Sequence, residues 1–265
     1  MSPRQRMINL MYIVLTAMLA LNVSSDVLQG FTQVNDGLVR SNDNVGARND
    51  AVYRRLEAVA ADNPRKGERW YSAATDVRVA TRRLYSFVDS LKQAIVLEAD
   101  GKNGDLRDIK KQEDFEAVSV VMLNPVSSQG RRLRERIGRY RAMLVDMTDD
   151  SAKRADITAA LATDAVAQKG SAMSVDWETG LFDGTPAIAA ITLLSKIQND
   201  IRFAEGETLT HLLSKVDAGD LRVNSLNAFV IPQSRNVMRG DSYSADIVLA
   251  AVDTTRLPAI YMDGV

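Results

Sequence analysis

The sequence predicts a mainly α protein, in which one N-terminal transmembrane helix continues into a helical bundle and the start of a β-sandwich-like domain follows. Three observations predict this. An uncharged run lies between Arg6 and Asp26; apolar residues recur on helical periods from there to about residue 218; after Asp220 the pattern changes to short alternating segments. The expected divisions are 1–26 for the tip and membrane helix, 27–220 for the bundle, and 221–265 for the beginning of the β-rich domain.

From Met7 to Ser25 the chain reads MINLMYIVLTAMLALNVSS, without a charged side chain. At ~1.5 Å per residue this run extends roughly 28 Å, close to the ~30 Å hydrocarbon thickness of a bilayer. Arg4 and Arg6 precede it and Asp26 follows. The positive-inside rule therefore places the N-terminus in the cytoplasm and the bulk of the chain across the membrane, in the periplasm of a bacterium. A cleavable signal peptide is the competing reading. Ala20 and Asn22 make a poor cleavage pair, and the apolar periodicity runs on past the boundary, so a retained anchor is expected. Polar residues sit within or at the end of this segment: Gln5, Asn9, Tyr12, Thr16 and Asn22. Thr16, Ala17 and Ala20 are small enough to let a second membrane helix approach.

Beyond the membrane, Val27, Phe31, Val34, Leu38, Val45, Val52, Leu56 and Val59 follow one another in steps of three, four or seven. This is a coiled-coil-like seam, and it predicts one helix from about Pro3 to about Ala61, stopped by Asp62-Asn63-Pro64. A second helix is expected over Glu68–Leu97, broken by Asp100-Gly101-Lys102-Asn103-Gly104. That turn resembles a calcium loop only superficially, since Lys102 and Gly104 occupy ligand positions. Further helices are expected over Gln129–Met147 and Ser151–Val166. In the first of these Arg131, Arg132, Arg134, Arg136, Arg139 and Arg141 read as a solvated face. Ser171–Pro186 reads as a loop, and Pro186 opens a last long helix ending near Ala218-Gly219. His211, with Glu207 and Ser214 a turn to either side, reads as surface pairing on that helix. The alternating segments Val223–Ile231, Tyr243–Val252 and Leu257–Tyr261 read as strands, with Arg239-Gly240-Asp241 as a turn.

Composition excludes several function classes. The chain has 265 residues, no cysteine and one histidine, and its formal net charge is −1. Disulfide scaffolds and thiolate chemistry are ruled out, and any Ser-His-Asp triad would have to be built on His211. No basic block dominates a domain, so nucleic acid is not the expected partner. No catalytic, cofactor-binding or metal-ligating set is assigned, and the chain reads as non-enzymatic.

The run Pro3-Arg4-Gln5-Arg6-Met7-Ile8-Asn9-Leu10-Met11-Tyr12, continuing through Leu15-Thr16-Ala17-Met18-Leu19-Ala20-Leu21-Asn22-Val23-Ser24, resembles the N-terminus of the GldM/PorM family. Leu194-Ser195-Lys196-Ile197-Gln198-Asn199-Asp200 resembles that family's last bundle helix. These are inner-membrane motor subunits of the type IX secretion and gliding-motility system. The resemblance implies a homodimer with its membrane helices threaded through GldL/PorL-like subunits. It also implies reach toward an outer-membrane-associated ring through domains beyond this chain, and movement powered by the proton-motive force. It makes Arg4, in the matching PRQ run, the intramembrane charge that pairs with the partner. The rival expectation is a passive single-pass periplasmic scaffold or a helical-bundle sensor ectodomain. A sensor needs a cytoplasmic output domain, for which the residues before Met7 are too few.

Overall fold

The computed structural model describes residues 3–21, 24–167, 174–218, 225–233, 236, 238, 240 and 242–252. The chain divides into two compact units, Met1–Ser214 and Lys215–Val265.

Helix α1 spans Pro3–Leu21 and α2 spans Ser25–Asp62. The continuous helix expected from Pro3 to Ala61 is therefore interrupted. Ser24 has φ −56° and ψ 134°, and its hydroxyl accepts a hydrogen bond from the Asp26 N–H at 3.3 Å. A serine oxygen that satisfies a first-turn N–H starts a helix afresh, and apolar spacing carries no signal of such a cap. At the other end, α2 stops at Asp62 and α3 (Pro64–Asp100) starts at once, with Pro64 where a missing N–H costs nothing. The two helices turn back on each other so tightly that a Cβ on Gly67 would lie 2.6 Å from Ala60 Cα. Tyr53 seals the hairpin, its hydroxyl 3.0 Å from Thr75 Oγ1 and its ring 5.5 Å from that of Tyr71.

After α3 the chain is tied back on itself, because the Asp100 carboxylate accepts the Lys110 and Lys111 N–H groups at 2.8 Å each. The three-residue helix α4 (Glu116–Val118) passes into a π-helical turn over Ser119–Leu123, and the Asn124-Pro125 breaker ends it. Helix α5 (Gln129–Asp146) then runs antiparallel to α3, with Thr81 Oγ1 and Tyr140 Oη 2.7 Å apart in the interior. Burial pushes the Tyr140 phenol far above its ordinary pKa.

Helix α6 (Ser151–Ala160) is capped by the Asp150 carboxylate and ends earlier than Val166. Val166–Ala167 instead forms β1, paired antiparallel with β2 (Ser174–Val175). The stretch expected to be a loop before Pro186 holds this strand and the short helix α7 (Trp177–Phe182). The Trp177 and Phe182 rings meet edge-on at 6.2 Å, and both side chains are buried. Aromatic burial orders a segment whose polar flanks read as irregular.

The last helix, α8, spans Ala187–Ala218. Two of its otherwise orphaned N–H groups, those of Ala187 and Ile188, donate to the carbonyls of Asp114 and Gln112. Helices α2, α3, α5 and α8 enclose the core, where Leu56, Val88, Ile95, Leu133, Leu144, Ile188, Leu194 and Ile201 are buried. Successive contacts advance together along α2 and α8, so these two helices run parallel; α3 runs antiparallel to both.

The predicted seam on α2 is displaced. Of the predicted seam residues Leu56 is buried, but Val27 and Val34 are half exposed, and Leu28, Asn42, Gly46, Asn49 and Tyr53 are buried instead. The inward stripe is turned toward polar residues, and a hydrophobic reading alone misses it.

The second unit contains β3 (Ser225–Pro232) and β4 (Ala245–Val252), paired antiparallel with Phe229 opposite Val248 and Val230 opposite Ile247. Gly240, in the predicted turn between them, has φ 113°. The expected strand at Leu257–Tyr261 lies outside the described residues.

Candidate functional site

Two regions carry polar chemistry against an apolar background. The first is α1. Met7, Ile8, Leu10, Met11, Tyr12 and Ile13 are all exposed, each by half or more of its surface. At 100° per residue Met7, Ile8, Leu10, Met11 and Ile13 spread over more than half of the circumference, and the described side chains of α1, residues 4–13, are all exposed. Gln5, Asn9 and Tyr12 follow one another in steps of four and three and form a single polar stripe along it. Arg4, Gln5 and Asn9 are exposed as well. Arg4 and the stripe thus share one helix end, but no packing among the described residues gathers them into a pocket. The side chains of Thr16, Ala17 and Ala20, and the whole of Asn22, lie outside the described residues. Among the described residues, no helix is long and apolar enough to cross a membrane. The described apolar part, from Met7 to Leu21, extends only roughly 21 Å at ~1.5 Å per residue.

The second region is the α2–α8 interface. Thr192 Oγ1 shares its proton between the Ile188 carbonyl of its own helix at 2.8 Å and the Phe31 carbonyl at 3.2 Å, and Ser195 Oγ donates to Asn35 Oδ1 at 2.6 Å. Asn42 Nδ2 donates to the Ser195 carbonyl at 3.1 Å, and Asn199 Nδ2 donates to Asn42 Oδ1 at 2.8 Å. One heptad on, Asn49 Nδ2 donates to the Arg202 carbonyl at 2.8 Å and to Glu205 Oε2 at 2.9 Å. Three asparagines seven residues apart thus meet α8 at a repeating interval. A buried amide that reaches a carbonyl in only one register fixes how two helices lie, as polar residues do in coiled-coil seams.

Charges flank this ladder. Glu205 is 3% exposed and receives Arg202 Nη1 at 3.0 Å, while the Arg202 guanidinium lies 4.6 Å from the Tyr85 ring centroid. On the neighbouring face, the buried Lys92 ammonium donates to Gln198 Oε1, and Gln198 Nε2 donates to Asp89 Oδ1 at 2.6 Å. Burial lowers the Lys92 pKa to about 8. None of these residues stood out by hydrophobicity. The signal that could have found them is the spacing of Asn35, Asn42 and Asn49, since asparagine is a poor helix former and three at heptad intervals need partners.

His211 also departs from expectation. It is 4% exposed, and its Nε2 lies 2.9 Å from Asp149 Oδ1 on the α5–α6 connection. Glu207, expected to pair along the same helix, instead accepts from Lys153 Nζ at 2.7 Å. Inter-helix packing has replaced the surface row. Among the described residues no cluster of histidine and carboxylates is gathered to hold a metal ion.

The whole arrangement is a structural one: a rigid bundle with a register-fixing interior, joined to an apolar helix that needs covering. Comparison with known proteins agrees in kind. Residues 26–215 match the family model of the GldM N-terminal domain, and residues 217–265 match that of the GldM second domain. No curated protein matches the chain. The two matches abut near the boundary between the two compact units and together cover almost the whole chain after α1; the protein belongs to the GldM/PorM family, membrane-associated components of the type IX secretion and gliding machinery and not a known family of enzymes.

Proposed function

We propose that this chain is a non-enzymatic motor subunit that couples the proton-motive force to type IX secretion and gliding. In this reading α1 and the residues after it cross the inner membrane with the N-terminus in the cytoplasm, while the bundle and the β-rich unit stand in the periplasm. The observation that carries the proposal is α1: a helix with exposed apolar side chains over most of its circumference, one polar stripe, and Arg4 and Arg6 at its start. Lipid and GldL/PorL-like membrane helices, together with a second copy of the chain, are the natural cover for such a surface. An outer-membrane-associated ring is the proposed recipient of the movement.

Arginine is not deprotonated in proteins, so Arg4 does not carry the proton. Its role is electrostatic. It holds a carboxylate of the membrane partner ionised, and protonation of that carboxylate releases the pair. One elementary charge moved across ~100 mV is worth ~2.3 kcal/mol, enough to bias such a step. The register-fixed α2–α8 pair then passes displacement along the bundle without slipping.

The test is Arg4→Ala in the native host. Arg6 remains to hold the orientation, so the variant should insert normally and co-purify with its membrane partner while secretion and gliding stop. Arg4→Lys keeps the charge but loses the planar fork, and separates charge from geometry. Full function in Arg4→Ala would return Arg4 to a headgroup anchor; loss of the complex would make the charge structural.

A further inference from the structure

We propose that the groove between α3 and α5 is a docking surface for an acidic peptide segment of a partner protein, gripped by Arg83, Arg136 and Arg139. This does not depend on the membrane role given to α1.

The groove has a volume of about 300 Å³, with Leu84, Tyr140 and Met143 among its lining residues. Its polar lining is three arginines, from two helices, and no carboxylate. Among the described residues, none of the three guanidinium groups has a carboxylate within ion-pair distance. In a chain with 34 acidic and 33 basic residues, that separation is a concentration of one sign. The opposite flank of α5 shows the contrast. There Arg134 meets Asp176 at 3.1 Å and Glu178 at 3.2 Å, and Arg141 donates to the Leu161 carbonyl at 3.4 Å. The arginines of that flank serve the fold, whereas those of the groove are left for something else.

The chemistry selects the ligand. Guanidinium forks match carboxylates in two-point geometry, and the helix that supplies two of them contains no lysine. Arg136 is held with its guanidinium 4.1 Å from the Phe87 ring centroid, which fixes the fork in advance. Leu84 and Tyr140 form a buried floor, and the half-buried Ala80 and Met143 leave apolar surface beside the arginines, so a ligand with apolar side chains between its carboxylates gains on both counts. A bilayer surface, by contrast, is met by extended cationic side chains on a convex face, not by a recess between helices.

The experiment uses the purified full chain and a fluorescein-labelled helical peptide of glutamate, with leucine at alternating three- and four-residue spacing. Fluorescence anisotropy at low salt should give saturable binding that weakens with added salt. The triple variant Arg83→Gln/Arg136→Gln/Arg139→Gln should raise Kd by about tenfold or more, as the loss of charge-assisted hydrogen bonds implies. Arg48→Gln/Arg65→Gln/Arg154→Gln, which removes the same charge from exposed sites elsewhere, should change it by less than about twofold. Circular dichroism melts should match for all three proteins. Equal loss in both triple variants, or no saturable binding by the wild type, overturns the proposal. So does groove-dependent binding to vesicles of phosphatidylglycerol with none to the peptide, which would assign the arginines to a membrane surface.

Discussion

The α3–α5 and α2–α8 helix pairs lie in the same bundle and are joined by opposite means. On α3 and α5 the buried residues include Leu84, Val88, Leu133, Ile137 and Leu144, and a buried hydroxyl pair, Thr81–Tyr140, joins the two helices. Between α2 and α8 the contacts are amides, hydroxyls and carbonyls at heptad intervals. Apolar contact is strong and non-directional, whereas a hydrogen bond is worth less net but exists in one register only. The first pair supplies cohesion. The second supplies position, and the difference is measurable.

The largest effect belongs to the apolar pair. Leu133 is fully buried, so Leu133→Ala should lose about 3 kcal/mol in chemical denaturation followed by helical circular dichroism. A loss below about 1 kcal/mol would mean that α5 collapses to fill the space and is not the rigid member of the pair. On the polar side, Asn49→Ala strips one of two partners from the buried Glu205 carboxylate and should cost about 2 kcal/mol. Its diagnostic companion is hydrogen exchange. Protection should fall along α2 and α8 together while α3 and α5 keep theirs.

Gly206→Ala tests how closely the polar pair fits. A Cβ there would sit 2.6 Å from Asn49 Oδ1. The helix gains ~1 kcal/mol in propensity, but Asn49 must turn away from both its acceptors, so a net loss of about 1 kcal/mol is expected. A stabilised variant would show that Asn49 has other places to go.

The smallest effect at neutral pH is at Lys92. Folded Lys92 releases its proton at about 8, and the unfolded chain does so near 10.5. Between these values the unfolded state holds more protons, so stability rises with pH. Below pH 8 the buried ammonium costs at most about 3 kcal/mol. Lys92→Met removes that cost but strands Gln198 Oε1, which offsets it by about 1–3 kcal/mol. Wild type should therefore gain on the variant as pH rises from 8 to 10.5. A constant difference across that range would mean that Lys92 stays charged in the fold.

Most helix boundaries were legible because their signals are local. Asp62-Asn63-Pro64 stops α2 and Pro186 precedes α8, although α3 starts at Pro64 itself rather than at the expected Glu68. What was not legible lies in partners far along the chain. Val27 and Val34 read as part of the seam yet are half exposed, while Asn42 and Asn49, which apolar periodicity passes over, are buried against acceptors on a helix about 150 residues away. Hydrophobicity ranks a side chain by its cost in isolation, and that cost vanishes when a carbonyl is waiting. The same holds for Trp177 and Phe182, whose rings meet edge-on within a short helix that the flanking polar residues do not signal. The polar residues of α1 were visible in the sequence, but Gln5, Asn9 and Tyr12 stay exposed and no packing among the described residues gathers them.

The parallel course of α2 and α8 has a mechanical consequence. The chain enters the bundle at the start of α2 and leaves from the end of α8, so these two attachment points lie at opposite ends of one interface. A pull on both runs along the seam. The contacts of Thr192, Ser195, Asn42 and Asn49 are then loaded in shear, all at once, rather than peeled apart in turn. An antiparallel pair tugged at its near ends would unzip from the first bond. This one shares its load.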